Sequence, residues 1–329
     1  MLLGLFAIVA TALVFDYTNG FHDSANAVAT SISTRALPPT VALVLAAVLN
    51  FAGALVSTQV AATLGQGIVH STAVTQAVVE AALLGAIGWN LVTWWFGLPS
   101  SSSHALVGGM VGAVLARAGS VGVRWFDIFR KVIVPTLTSP LIGFFVGGAL
   151  TVALYWICRR QAPAPANRRF RLLQTASASL MAFSHGSNDA QKTMGIIALA
   201  LFSSGRIDHF YVPLWVKLGS AVAMAVGTFT GGKRIIRTLG MRLVKLDPID
   251  GFAAETAASV VLLGTAQLGF PVSTTHVITT TIMGVGATKR LSAVKWGVTF
   301  DILTAWAFTL PAAAGLAFLI ERALAALFH

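Results

Sequence analysis

The stretch Asn19-Gly20-Phe21-His22-Asp23-Ser24-Ala25-Asn26-Ala27 follows an apolar run, Met1 to Phe15, and packs five polar or ionisable side chains into eight residues. The surrounding chain consists of long apolar segments. These groups therefore stand at membrane depth, where polar and charged side chains are costly and mark function. A second stretch, His185-Gly186-Ser187-Asn188-Asp189-Ala190-Gln191-Lys192, repeats the design. At an offset of 166, Gly20 and Asp23 fall on Gly186 and Asp189, His22 on Asn188, and Asn26 on Lys192. Two related polar breaks in apolar helices, one in each half, point to a substrate site at a repeat interface.

Composition sets the class. Of the 329 residues, 56% are hydrophobic and 10% charged, with mean hydropathy +0.80. Soluble domains carry about 25% charged residues, so the chain reads as an all-α polytopic membrane protein embedded in the lipid bilayer. Its apolar runs are continuous and near the roughly 20 residues a spanning helix needs, without the alternation of a membrane β-barrel. The first run lacks a basic leader and passes straight into the polar motif, so no cleavable signal is expected. The net charge of +11 lies mostly in loops, which sets orientation and indicates no nucleic-acid partner. The single cysteine, Cys158, excludes an intramolecular disulfide and a cysteine-based metal cluster.

The pattern predicts ten apolar segments, five in each of two inverted repeats. Residues 1–158 form the first repeat, 159–171 a cytoplasmic basic linker and 172–329 the second repeat. Segments two and seven are expected over 40–63 and 212–232, with a basic loop over 233–250. A second matched pair supports duplication: Pro99-Ser100-Ser101-Ser102-Ser103-His104 aligns without a gap on Pro271-Val272-Ser273-Thr274-Thr275-His276 at an offset of 172. Each follows an acid in the preceding segment, Glu80 or Glu255. These Pro-Ser-rich starts predict broken or re-entrant helices at the repeat interface. With the linker in the cytoplasm, fourteen of the 22 Lys and Arg residues lie on that side, as the positive-inside rule requires, and both termini fall outside.

The chemistry is mixed. The hydroxyls of Ser102, Ser103, Thr274 and Thr275 stand at helix N-termini, which favour an oxyanion. Asp23, Asn26, Asn188, Asp189 and Lys192 complete the candidate substrate site. His22, Glu80, Glu255, His104 and His276 are candidates for coupling or gating. Carboxylates repel a bare anion, so a cation must travel too: a proton, a sodium ion or a divalent metal, for which Asp23 and Asp189 are candidate ligands. An enzyme would need a nucleophile with its base, and no such constellation stands out.

At these residues the chain resembles the inorganic phosphate transporter (PiT) family, bacterial low-affinity phosphate permease type. The stretches 20–27 and 186–192 are similar to its two signature repeats, and the two Pro-x-Ser turns to its other paired motif. The resemblance covers nearly the whole chain. It implies inverted repeats around a site for inorganic phosphate, alternating access, a homodimer in the inner (plasma) membrane and no resident cofactor. It also implies coupling to H⁺ or Na⁺, and in bacterial members co-transport of phosphate with protons, often as a neutral metal–phosphate complex. One departure matters: sodium-coupled relatives end the second signature with an Asn-Ala pair like Asn26-Ala27, where this chain has Lys192-Thr193. Sulfate permeases share the motifs, so sulfate or another oxyanion is the alternative cargo.

Overall fold

The computed structural model describes residues 2–328, so Met1 and His329, the outermost residues of the two expected repeats, lie outside it. The described residues form thirteen α-helices and no β-sheet. In the first half these are α1 (Leu2–Ser33), α2 (Pro39–Ala54), α3 (Gln59–Gly67), α4 (Gln76–Phe96), α5 (Ser102–Ala118), the short α6 (Trp125–Ile128) and α7 (Val134–Cys158). The second half has α8 (Pro163–Ser203), α9 (Leu214–Thr230), the short α10 (Lys233–Arg237), α11 (Pro248–Gln267), α12 (Thr274–Lys289) and α13 (Trp296–Phe328). Five helices are long and apolar enough to cross a membrane, and seven spans result if each bent pair counts as one.

The order recurs: a long motif-bearing helix (α1, α8), a bent pair (α2–α3, α9–α10), an acid-bearing helix (α4, α11), a short helix (α5, α12) and a long final one (α7, α13). The halves interlock. Helix α1 packs on α9 and α8 on α2, while α13 lies against α4 and α5, and α7 against α11 and α12. Both expected Pro-Ser starts are helix N-termini. Ser101 accepts the backbone N–H of His104 at 3.2 Å, and Ser273 that of His276 at 3.2 Å, each satisfying one of the orphan donors of a helix start.

Three sequence expectations need correction. The polar motifs do not break their helices: α1 runs through Asn19–Ala27 and α8 through His185–Lys192. Neither motif contains proline, and local hydroxyls bond back to the helix, Ser24 to the Phe21 carbonyl at 2.9 Å and Thr18 to that of Phe15 at 2.8 Å. The motif glycines serve packing instead. A Cβ on Gly186 would strike the Asn50 backbone, 2.6 Å from its Cα, and one on Gly20 would reach Thr228 N at 2.9 Å. Small residues let membrane helices approach this closely. Second, helix α8 begins at Pro163, so most of the expected linker is helical.

Third, the bends fall in segments two and seven. Helices α2 and α3 meet at 67°, and α9 meets the helical stretch Lys233–Leu243, expected as a loop, at 59°. Each bend is held by the motif of the other half. Gln191 Oε1 accepts the backbone N–H of Val60 at 2.9 Å, and Ser24 Oγ that of Gly232 at 2.8 Å. Partners 131 and 208 residues away leave no local signal in the sequence. Gly186→Ala should destabilise the protein by about 1–3 kcal/mol through overpacking, seen as a lower unfolding temperature in detergent. Gly264→Ala, where a Cβ meets nothing within 4 Å, should not. Equal stability of the two variants would contradict the close crossing.

Candidate functional site

The two motifs and the two Ser/Thr turns meet in one buried cluster. Asp23, Asn26, Ser102, Ser103, Asn188, Asp189, Lys192, Thr274 and Thr275 are each at most 4% exposed. Helix α1 reaches across to α12: Asn26 Nδ2 donates to Thr275 Oγ1 at 2.9 Å and to Thr274 Oγ1 at 3.2 Å. Thr275 Oγ1 in turn lies 3.4 Å from Asp23 Oδ1. Helix α8 makes the equivalent reach to α5, where the Lys192 ammonium donates to Ser103 Oγ. Ser103 and Thr275 correspond at the offset of 172, and Asn26 and Lys192 at 166, so matched positions make matched contacts.

Lys192 also pairs with Asp189 Oδ1 and donates to the Val272 carbonyl at 3.2 Å. The other oxygen of Asp189 accepts from Thr274 Oγ1 at 2.9 Å. A buried charge requires such a set of partners, because desolvation otherwise outweighs the attraction. Several polar atoms of the cluster are buried without a hydrogen-bond partner in the protein: Asp23 Oδ2, Asn26 Oδ1, Ser102 Oγ and both side-chain polar atoms of Asn188. Buried polar atoms in native proteins are nearly always satisfied, by protein, water or ligand, so these atoms remain available to a polar partner.

The expected coupling and gating residues divide. His22 belongs to the cluster: Nδ1 lies 2.7 Å from Asp23 Oδ1, and Nε2 lies 3.0 Å from Thr93 Oγ1 and 3.3 Å from Ser100 Oγ. His104 and His276 meet edge to face with ring centroids 4.8 Å apart. His104 Nε2 bonds Thr136, at 2.7 Å, and His276 stacks on Trp306. They join the two short helices beside Ser103 and Thr275. Glu80 and Glu255 stand apart. Glu80 accepts from Thr11 at 2.7 Å, twelve residues and thus about 18 Å along α1 from Asp23. Glu255 accepts from Thr30 at 2.5 Å, Ser177 at 2.5 Å and Gln174 at 3.2 Å. At the offset that aligns the turns, Glu255 falls on Leu83, so the two acids lie about one helical turn apart in their repeats.

His185 is the residue that sequence reasoning passed over. It stands four residues before Asp189, on the same helix face, and its Nε2 lies 3.2 Å from Asp189 Oδ2. Among the described residues, Asp23, His185 and Asp189 form a group whose potential ligand atoms all lie within 4.8 Å of one another. The two expected metal candidates are therefore adjacent. The i, i+4 spacing was the available signal, but in the first half that position is Asn19 and offers no matching imidazole.

A polytopic helical protein whose two halves close a buried, charge-paired polar site between them has the architecture of a solute carrier. The sequence profile of the phosphate transporter family matches residues 19–168 and 159–317, and the chain belongs to that family. It is 50% identical over 312 residues to a "Probable low-affinity inorganic phosphate transporter" of Rhizobium meliloti (strain 1021), covering 94% of this chain and 93% of that one. It is 44% identical, over the same shares of both chains, to a protein of that name in Bacillus subtilis (strain 168). A solved structure called "The sodium-dependent phosphate transporter" shares the fold, with a TM-score of 0.85 over 98% of this chain and 99% of that one at 22% identity. The chain is a transport protein, not an enzyme.

The Asp189–Lys192 pair can be tested without a transport assay. Asp189→Asn or Lys192→Met alone strands a buried charge and should cost about 3–5 kcal/mol. The double variant should lose clearly less than the two single losses combined, as measured by thermal unfolding in detergent. Additive losses would show that the two groups are not a coupled pair.

Proposed function

We propose that this chain is a secondary active transporter that carries inorganic phosphate across the inner (plasma) membrane by alternating access. In this reading the halves 1–158 and 172–329 act as inverted repeats joined by a cytoplasmic basic linker, and two copies form a homodimer. Phosphate is taken up with protons, as a neutral complex with a divalent metal. The observation that carries the reading is the convergence of the α5 and α12 N-termini, through Ser103 and Thr274, on the Lys192–Asp189 pair. Helix N-termini and an ammonium attract an oxyanion, and hydroxyls bind it without adding charge. The carboxylates of Asp23 and Asp189 repel the anion unless a cation accompanies it, so the same site that admits phosphate requires a co-substrate.

Lys192 supports the proton over the sodium ion. Its fixed positive charge occupies Asp189 and raises the cost of a second monovalent cation nearby. The relatives named as phosphate transporters support the cargo, and the buried burden of polar groups supports a closed stage of an alternating-access cycle. Ser102, Ser103, Thr274, Thr275, Asn26, Asn188 and Lys192 would hold the anion, while His22, His104 and His276 would gate.

In proteoliposomes, labelled phosphate uptake should follow an imposed proton gradient and be unchanged when Na⁺ is replaced by K⁺ or choline. Excess sulfate should not compete. Strong sodium dependence at fixed pH and potential would sink proton coupling, and equal competition by sulfate would sink phosphate as the specific cargo. Asp23→Asn should abolish uptake with membrane insertion intact. Single alanine changes at Ser103 or Thr274 should weaken uptake several-fold, since a neutral hydrogen bond contributes about 0.5–1.5 kcal/mol. Near-normal uptake by Asp23→Asn would remove that carboxylate from the site.

A further inference from the structure

We infer that Asp16 of α1, outside the central cluster, binds the proton that travels with phosphate, and that Thr193 of α8 ties its protonation to the anion at Lys192. This rests on the proton-coupled carrier reading above and names the proton-binding group which that reading leaves open.

Asp16 is fully buried and lies near the middle of Gly4–Ser33, a helical stretch long and apolar enough to cross a membrane. Thr193 Oγ1 donates to its Oδ1 at 2.5 Å. Ser220 of α9 turns its hydroxyl toward the same carboxyl, yet neither Asp16 Oδ2 nor Ser220 Oγ completes a hydrogen bond within the protein. Among the described residues no Lys, Arg or His pairs with Asp16. The charged and titratable groups on α1 and on the helices around it are engaged elsewhere. His22 holds Asp23 on α1, and Lys192 holds Asp189 on α8. Asp189 itself adds only a charge of the same sign. Glu80 of α4 meets Thr11, and Glu255 of α11 meets Thr30. His104 of α5 and His276 of α12 face each other, and Arg234 of α10 lies over Trp94 and Trp95. Lys217 of α9, three residues before Ser220, is half-buried and forms no ion pair with Asp16.

An isolated carboxylate in such surroundings is very costly, and a bound proton removes its charge. A side chain needed only to tie two helices together can be a neutral amide, as Asn50 is to Thr228 at 2.8 Å. An acid in that role adds one property, a proton that can come and go. At the offset of 166 the place of Asp16 in α8 is Ala182, so the repeat supplies one such acid and not two. Asp23 stands seven residues further on, about 10 Å along the helix, so proton and anion occupy separate seats. Thr193 joins them. It directly follows Lys192 on α8, so a movement of Lys192 onto the anion also moves Thr193 against Asp16. The transfer is a simple acid–base step. The O–H bond of the Asp16 carboxyl breaks, its electron pair stays on the oxygen and the proton passes to water on the inner face; on the outer face the step runs in reverse.

The test places the full-length protein in proteoliposomes with a pH dye inside and compares two modes of labelled phosphate movement. In exchange, phosphate is equal on both sides and no net proton crosses. In accumulation, an inward proton gradient drives phosphate uphill. Asp16→Asn should keep exchange near that of the unmodified protein while losing both accumulation and the proton entry that accompanies phosphate. Asp16→Glu should restore coupling. Thr193→Val keeps the acid but removes a hydroxyl that favours its ionised form. It should move the pH midpoint of uptake upward by about half a unit or more, the equivalent of one hydrogen bond, and it serves alone if Asp16→Asn does not insert. Proton entry per phosphate unchanged in Asp16→Asn would overturn the inference, as would an unmoved midpoint in Thr193→Val. Loss of exchange together with accumulation in Asp16→Asn would make Asp16 a packing group and overturn it too. The unmodified protein separates this inference from the reading beneath it. Phosphate movement without proton entry there refutes proton coupling and Asp16 with it, whereas coupled uptake there and in Asp16→Asn alike refutes Asp16 alone.

Discussion

The Lys192 ammonium is wholly buried between the Asp189 carboxylate, the Ser103 hydroxyl and the Val272 carbonyl. A buried charge persists only where partners surround it. Satisfying this one dictates much of the architecture. It draws the motif of α8 to the start of α5 and to the turn before α12, so the two short helices must begin at the centre of the molecule. The matching contact from Asn26 to Thr275 does the same from the other side with a neutral amide.

The two motifs therefore act twice. Some of their side chains form the polar cluster, and others, Ser24 and Gln191, cap the bend in the opposite half. Their glycines set the depth of the crossings that allow both. A shift of one helix against another would disturb the cluster, a bend and a crossing together. That coupling is what a carrier needs if occupancy of the site is to change the packing of whole helices.

Much of this was legible in the sequence because its motifs recur. Four motifs at two constant offsets pointed to the residues of the cluster and to the helix starts at Ser102 and Thr274, and composition gave the membrane class. What was not legible depends on contacts between halves. A glycine amid polar residues reads locally as a break, but Gly20 and Gly186 are the contact points of continuous helices, visible only once α9 and α2 lie against them. The bend after Ala54 has its cap on Gln191. Glu80 and Glu255 looked equivalent by order, yet differ by about a turn and bond outside the central cluster. His185 lay in plain view within the second motif, but its partner Asn50 is 135 residues away, and its place in the first half is an asparagine. The symmetric reading thus anticipated the residues that cluster and missed the asymmetry that distinguishes the two sides of that cluster.

That asymmetry bears on the central claim, that one oxyanion site lies where Lys192, Ser103 and Thr274 converge. The most direct measurement is an experimental structure with arsenate in place of phosphate, using the anomalous scattering of arsenic to locate the anion. One arsenic peak is expected, with its oxygens within hydrogen-bond distance of Lys192 and of hydroxyls from both the α5 and α12 turns. A peak that contacts only one half of the chain, or lies away from Lys192, would contradict it.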